Sequence, residues 1–437
     1  MIELVDLLIV PRWIIPVEPA CALSHHALAV KGGRIVAIVP ADEAQSRFAA
    51  RDTLELPNHA LIPGLVNLHT HAAMSLLRGF GDDLPLMEWL TARIWPAEQA
   101  LVSADFVRDG ALLACAEMLA GGITCFNDMY FFPGAAAQAA LESGMRAALG
   151  MIVMDFPTAY ASDSEDCLEK GLAVRDRFKG ESLLSFTFAP HAPYTVNDDV
   201  LSRIGVLAEQ LDAPVHIHLH ETAQETDDSI NLHGVRPLER LANAGLLSPR
   251  LIAVHAVHLL DGEIGTLARH GCHIAHCPAS NLKLASGLPQ THKWLEAGIN
   301  IGIGTDGAAS NNRLDMFAEM RLAALLAKGV SGNAAALPAA KVLEAATLGG
   351  AKALGLDEQI GTLAPGKQAD MAAVDLGGFN TQPVFDPISH LVYAAGREQV
   401  SHVWVAGELV AQNGQALKID ASDLRARIAY WSAKLSV

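Results

Sequence analysis

Cysteine is scarce, with six residues in 437 and no C-x-x-C pair among Cys21, Cys115, Cys125, Cys167, Cys272 and Cys277. Most of them sit inside apolar stretches, so the expectation is buried, reduced thiols and a cytoplasmic home. Basic residues are in deficit, 31 Lys and Arg against 48 Asp and Glu, for a net charge of −17. No basic patch stands out, which argues against a nucleic-acid partner. The first residues, Met1-Ile-Glu-Leu-Val-Asp-Leu7, carry acids where a secretory leader carries bases. No uninterrupted apolar run is long enough to span a bilayer, so no membrane partner is expected. No glycine-rich phosphate loop follows the first strand-like apolar run, which weighs against a doubly wound nucleotide-binding sheet.

What is present is apolar and periodic. Hydrophobic residues make up 51% of the chain, enough to fill a large core. The length suits one large α/β domain with a smaller companion. Residues 2–56 read as short strands and turns, with one short helical stretch near Ala41–Ala50. After residue 60, strand-length apolar runs alternate with alanine- and leucine-rich helical stretches. There are eight such runs: Leu61–His69, Ile123–Met129, Arg146–Met154, Leu183–Pro190, Pro214–Glu221, Leu251–Val257, His273–Cys277 and Asn300–Asp306. Eight strands alternating with helices predict a closed parallel (β/α)8 barrel of the TIM type. β character returns at Met371–Val374 and in a hairpin over 400–410, and Ala421–Leu435 reads as a helix. The two chain ends are therefore expected to pair into a small β-sandwich domain. The division expected is 1–59 and 366–437 for that domain, the latter with its terminal helix, and 60–365 for the barrel.

In such barrels the working side chains stand at the C-terminal ends of the strands. The first run ends in His69-Thr-His71, and residues two apart on a strand share a face. With 18 histidines in the chain, one such pair means little. The other ends repeat the signal: His191 after the fourth run, His216, His218, His220 and Glu221 at the fifth, His255 and His258 at the sixth, His276 and Cys277 at the seventh, and Asp306 at the eighth. Imidazoles with a carboxylate suit Zn²⁺, and Fe²⁺ or Mn²⁺ also fit. Spacing alone does not choose among His216, His218 and His220, which share a face. The fourth run carries no lysine that could be carbamylated to bridge a second ion, so one divalent metal is expected. His25, His26, His59, His233 and His292 lie away from the strand ends and read as surface or structural, and His258, His276 and Cys277 as packing.

His-x-His, His-x-x-Glu, a later His and Thr-Asp-Gly, set on an eight-stranded barrel, resemble the amidohydrolase superfamily across essentially the whole chain. More narrowly, the chain resembles the 5-methylthioadenosine/S-adenosylhomocysteine deaminases. Five stretches carry that likeness: Ala72-Ala-Met-Ser-Leu-Leu-Arg-Gly79, Gly121-Gly-Ile-Thr-Cys-Phe-Asn-Asp-Met-Tyr130, His191-Ala-Pro-Tyr-Thr195, Ser280-Asn-Leu-Lys-Leu284 and Gly304-Thr-Asp-Gly-Ala-Ala-Ser-Asn311. The resemblance implies that His69, His71, His218 and Asp306 bind the metal and that Glu221, three residues after His218, is the proton shuttle. It implies that His255 stands beside the reacting water. It places Trp89 and Glu98 over the site, Glu98 accepting hydrogen bonds from ribose hydroxyls, and His191 against the nucleoside. Trp89 reads equally well as core on the pattern Leu86, Trp89, Leu90, Ile94. The implied reaction is hydrolytic removal of the 6-amino group of a purine nucleoside, by an enzyme that forms a homo-oligomer, a dimer or tetramer. Guanine deaminases and triazine hydrolases share parts of the pattern, and a non-catalytic metal-binding barrel is the remaining alternative. In one respect the chain departs from some relatives, which carry an arginine just after the third strand: Ile152–Asp166 contains none.

Overall fold

The computed structural model describes residues 2–435. Eight parallel strands follow one another in chain order: Leu65–Thr70, Ile123–Asp128, Arg146–Val153, Leu184–Pro190, Val215–Leu219, Leu251–His255, His273–His276 and Asn300–Ile303. Just past the last strand, the Asp306 N–H donates to the His69 carbonyl at 2.9 Å and joins the eighth strand end to the first. The result is a barrel with helices between its strands. Nearly every strand residue is buried, and for that reason these runs read as continuously apolar rather than alternating. Helix starts are fixed by local chemistry: Ser103, Asp163, Asn197 and Thr222 each accept the backbone N–H three residues on.

The chain ends form one mixed nine-stranded sheet. Its two halves join where Phe48–Pro63 runs antiparallel to Met371–Asp375, with Met371 opposite Pro63. The sheet rolls over, so that Ala369 donates to Gly33 O at 2.9 Å and Gly407 to Ala369 O at 3.0 Å. Ile9, Leu28, Leu61, Met371 and Trp404 pack together on one face, drawn from both ends of the chain. A bidentate ion pair, Arg146 with Asp370, ties the start of the third barrel strand to this sheet. Among the described residues, no helix is long and apolar enough to cross a membrane.

Two expectations need correction. Two of the N-terminal strands are long, not short: Glu3–Ile14 and Phe48–Pro63 run 12 and 16 residues, while Leu23–Ser24, His26–Lys31 and Arg34–Pro40 are short as expected. Parallel pairing of these two along most of their length sustains them. The run Leu61–His69 is not one strand. Leu61–Pro63 finishes the terminal-sheet strand, and the barrel strand begins at Leu65. Gly64 is the joint, where an added Cβ would lie 2.0 Å from Thr124 Oγ1, so no side chain fits.

Candidate metal centre and active site

The first, fifth, sixth and eighth strand ends bring their polar side chains to one point. The candidate ligand atoms of His69, His71 and Asp306 lie within 4.8 Å of one another, as do those of His69, His218 and His255. The proton positions follow from the partners. His71 Nδ1 faces the Met129 carbonyl, and His218 Nδ1 lies 2.7 Å from the His191 carbonyl. A carbonyl only accepts, so each Nδ1 carries a hydrogen, and in the neutral ring each Nε2 is a bare lone pair. Those lone pairs point inward: His71 Nε2 is 3.4 Å from Asp306 Oδ1, and His218 Nε2 is 3.3 Å from His69 Nε2. A lone pair facing a carboxylate oxygen repels it unless a cation lies between them. Burial pushes the His69 imidazole down to about 4 and the His218 imidazole well below its ordinary value, so both are neutral near pH 7. Burial works to raise Asp306, but its hydrogen bond to His69 and the nearby imidazoles hold it well below the usual carboxylate range. Neutral imidazoles around one carboxylate are the donor set of a divalent-metal site.

Of the three fifth-strand histidines, the structure separates the roles that spacing left open. His218 faces the cluster. His216 lies behind it, its Nε2 2.9 Å from His69 Nδ1, and so orients the His69 ring. His220 turns away toward Thr226 and Leu238. His276 is buried against the edge of Trp294, and His258 packs on the Ser286 carbonyl.

Several of these residues occupy unfavourable backbone. His220, His255 and Asp306 have φ of +52°, +68° and +62°. Left-handed backbone at residues with a Cβ clusters at working sites, where the surroundings enforce it. The Gly302-Ile-Gly-Thr-Asp-Gly307 stretch has phosphate-loop spacing, but it serves the barrel instead. An added Cβ at Gly304 would lie 2.8 Å from the His69 backbone nitrogen, so only glycine lets the eighth strand close on the first.

The loop after the seventh strand braces the acids, a role the sequence did not disclose. Ser280 Oγ donates to Asp306 Oδ2 at 2.6 Å, Ser286 Oγ to Glu221 Oε1 at 3.2 Å, and Asn281 Oδ1 lies 2.8 Å from His255 Nδ1. Glu221 is buried, its Oε2 3.8 Å from His255 Nε2. Burial raises its pKa, and the Asp306 charge adds to this against the opposing pull of His255 and Ser286. A raised pKa makes this acid a better proton carrier than an exposed carboxylate.

A cavity of about 510 Å³ opens over the cluster. Its floor carries His71, His218, Glu221, His255 and Asp306, and its walls include Trp89, Glu98, Tyr130 and His191. Of the residues the resemblance implicates, all but His69 line this space. Trp89 is 4% exposed and serves both readings, core and cavity wall. Glu98 accepts a hydrogen bond from the Tyr130 hydroxyl at 2.6 Å, and desolvation raises its pKa to about 7 against that bond. Tyr130 ends the Gly121–Tyr130 motif, and its partnership with Glu98 is visible only once the chain is folded. Desolvation holds His191 down to about 3, so it is neutral.

A barrel with this donor set, an acid beside it and a cavity opening above defines a metal-dependent hydrolase. The amidohydrolase family model matches residues 60–410, and the chain belongs to that family. It is 48% identical over 431 residues to the 5-methylthioadenosine/S-adenosylhomocysteine deaminase of Saccharophagus degradans, covering 98% of this chain and 97% of the other. The protein of that name from Teredinibacter turnerae is 48% identical over 424 residues, covering 97% and 96%. Among solved structures, an adenosine deaminase from Xanthomonas campestris with bound zinc superposes with a TM-score of 0.98 at 49% identity, covering all of both chains. Atrazine chlorohydrolase from Arthrobacter aurescens, complexed with zinc, gives 0.90 at 25% identity over 98% of this chain and 100% of its own.

Proposed function

We propose that the protein is a zinc-dependent deaminase of adenine nucleosides, with 5′-methylthioadenosine as its preferred substrate. The observation that carries this reading is the cluster of His69, His71 and Asp306, with His218 facing His69, at the floor of a nucleoside-sized cavity. His69, His71, His218 and Asp306 hold the metal. When bound, Zn²⁺ supplies the Lewis acidity that makes water a nucleophile at neutral pH. Glu221 takes a proton from the attacking water and delivers it to N1 of the adenine ring, which makes C6 electrophilic as the oxygen adds there. The remaining hydroxyl proton passes through Glu221 or Asp306 to the amino nitrogen, the C6–N bond breaks, and ammonia leaves as the C6 carbonyl forms. His255, fixed by Asn281, orients the attacking water. Glu98 accepts the ribose hydroxyls, Trp89 covers the base, and His191 touches the nucleoside.

The cavity wall at the end of the third strand is formed by Ile152, Met154 and Phe156, and among the described residues no lysine or arginine lines the cavity. An apolar methylthio group is at home there. The carboxylate of an S-adenosylhomocysteine tail finds no cation, which favours the smaller substrate.

Glu221→Gln tests the assignment. The variant keeps its metal and its affinity for nucleoside but loses at least about 10²-fold in kcat, the scale of a missing acid–base group. Near-normal turnover by that variant overturns the shuttle role.

A further inference from the structure

The fifth strand ends in a sharp bend at His220, whose φ of +52° lies in the left-handed region. Glu221 follows directly, so the bend aims its carboxylate. Glu225 clamps the bend. Its Oε1 accepts the His220 N–H at 3.0 Å, and its Oε2 accepts the Glu221 N–H at 2.7 Å. Glu225 is 8% exposed, and its own N–H donates to Thr222 Oγ1 at 3.1 Å. Thr222-Ala-Gln-Glu225 has the spacing of a capping box, in which the acid at the third helical position returns to the capping residue. Here the acid reaches past the cap to the two residues before it. Its side chain has no ion pair among the described residues, only those two backbone amides.

We infer that Glu225 is a positioning residue for the proton shuttle. By fixing the His220 and Glu221 amides, it holds the Glu221 carboxylate between Ser286 and His255, where small displacements cost rate. The inference rests on Glu221 being the acid–base group of the deaminase. A helix cap alone would affect stability and nothing else.

Three measurements on the zinc-loaded full chain decide between these roles. Glu225→Gln keeps one acceptor and loses the other. It is expected to retain one metal per chain and a near wild-type KM for 5′-methylthioadenosine, while kcat falls about 10-fold or more. The double variant Glu221→Gln/Glu225→Gln is expected to be no slower than Glu221→Gln alone, because Glu225 acts only through Glu221. Amide exchange at residues 220 and 221, followed by mass spectrometry, is expected to speed up in Glu225→Gln with the barrel strands unchanged. Unchanged kcat, additive losses in the double variant, or unaltered exchange at those amides each overturn the inference. If the wild type deaminates no adenine nucleoside, the functional reading falls, while the exchange result still decides whether the clamp exists.

Discussion

Arg146 stands at the start of the third barrel strand, at the opposite end from the cavity. Its Nε and Nη2 donate to Asp370 Oδ2 and Oδ1 at 2.9 and 3.1 Å, and its Nη1 donates to the Ser182 carbonyl at 3.1 Å. The two side chains are 4% and 1% exposed. Asp370 also takes the Ala406 N–H at 2.7 Å, and its own carbonyl takes the Gly64 N–H at 2.9 Å. One ion pair thus fastens the barrel floor to the terminal sheet and to the joint where the first barrel strand begins. Arg146→Met keeps much of the side-chain volume and strands the Asp370 charge in the interior. Breaking a buried pair from one side costs about 3–5 kcal/mol. In a chain of this size that lowers the thermal midpoint by roughly 3–5 °C, read by calorimetry at a fixed scan rate with zinc in slight excess. The double variant Arg146→Met/Asp370→Leu removes both charges and recovers most of the loss. At 25 °C the single variant keeps kcat within about twofold, because residues at this end of a barrel support stability rather than chemistry. A loss under about 1 kcal/mol in the single variant, or a double variant worse than either single, refutes the reasoning.

Two further outcomes are expected. Removing the metal with a chelator abolishes activity and lowers the melting temperature, and zinc restores both. Burial raises Glu319 to about 8 while it braces Ala279 and Asn311, so between its ordinary value and about 8 the folded chain holds a proton that the unfolded chain releases. Stability from this group is present at low pH and is lost as pH rises through that window, so Glu319→Gln is expected to flatten the decline in melting temperature between about pH 5 and 8. An unchanged slope contradicts the assignment.

Much of the barrel was legible because its strands are buried on both faces and its helices carry their own caps. His69-Thr-His71 and Thr-Asp-Gly at residues 305–307 each sit on one strand end, where local order predicts convergence, whereas the choice of His218 over His216 and His220 rests on the family resemblance and not on spacing. The boundary at Gly64 was not legible. Leu61 and Leu65 are equally apolar, and only the contact with Thr124 separates the two strands. The bracing roles of Ser280, Asn281 and Ser286 were hidden for a similar reason: each acts across the barrel on a residue 26 or 65 positions away. Glu225 did carry a local signal, the Thr-x-x-Glu spacing after Glu221, but that pattern announces a helix start and not what the acid holds.

The most direct measurement is deamination itself. The zinc-loaded protein is given 5′-methylthioadenosine, S-adenosylhomocysteine, adenosine, adenine and guanine in turn, with ammonia release and the ultraviolet change from adenine to hypoxanthine followed together. Fast turnover of 5′-methylthioadenosine, slower turnover of S-adenosylhomocysteine and little on the free bases is the predicted result. Silence on every adenine nucleoside by protein with its metal bound contradicts it, and points the same site toward guanine or a triazine.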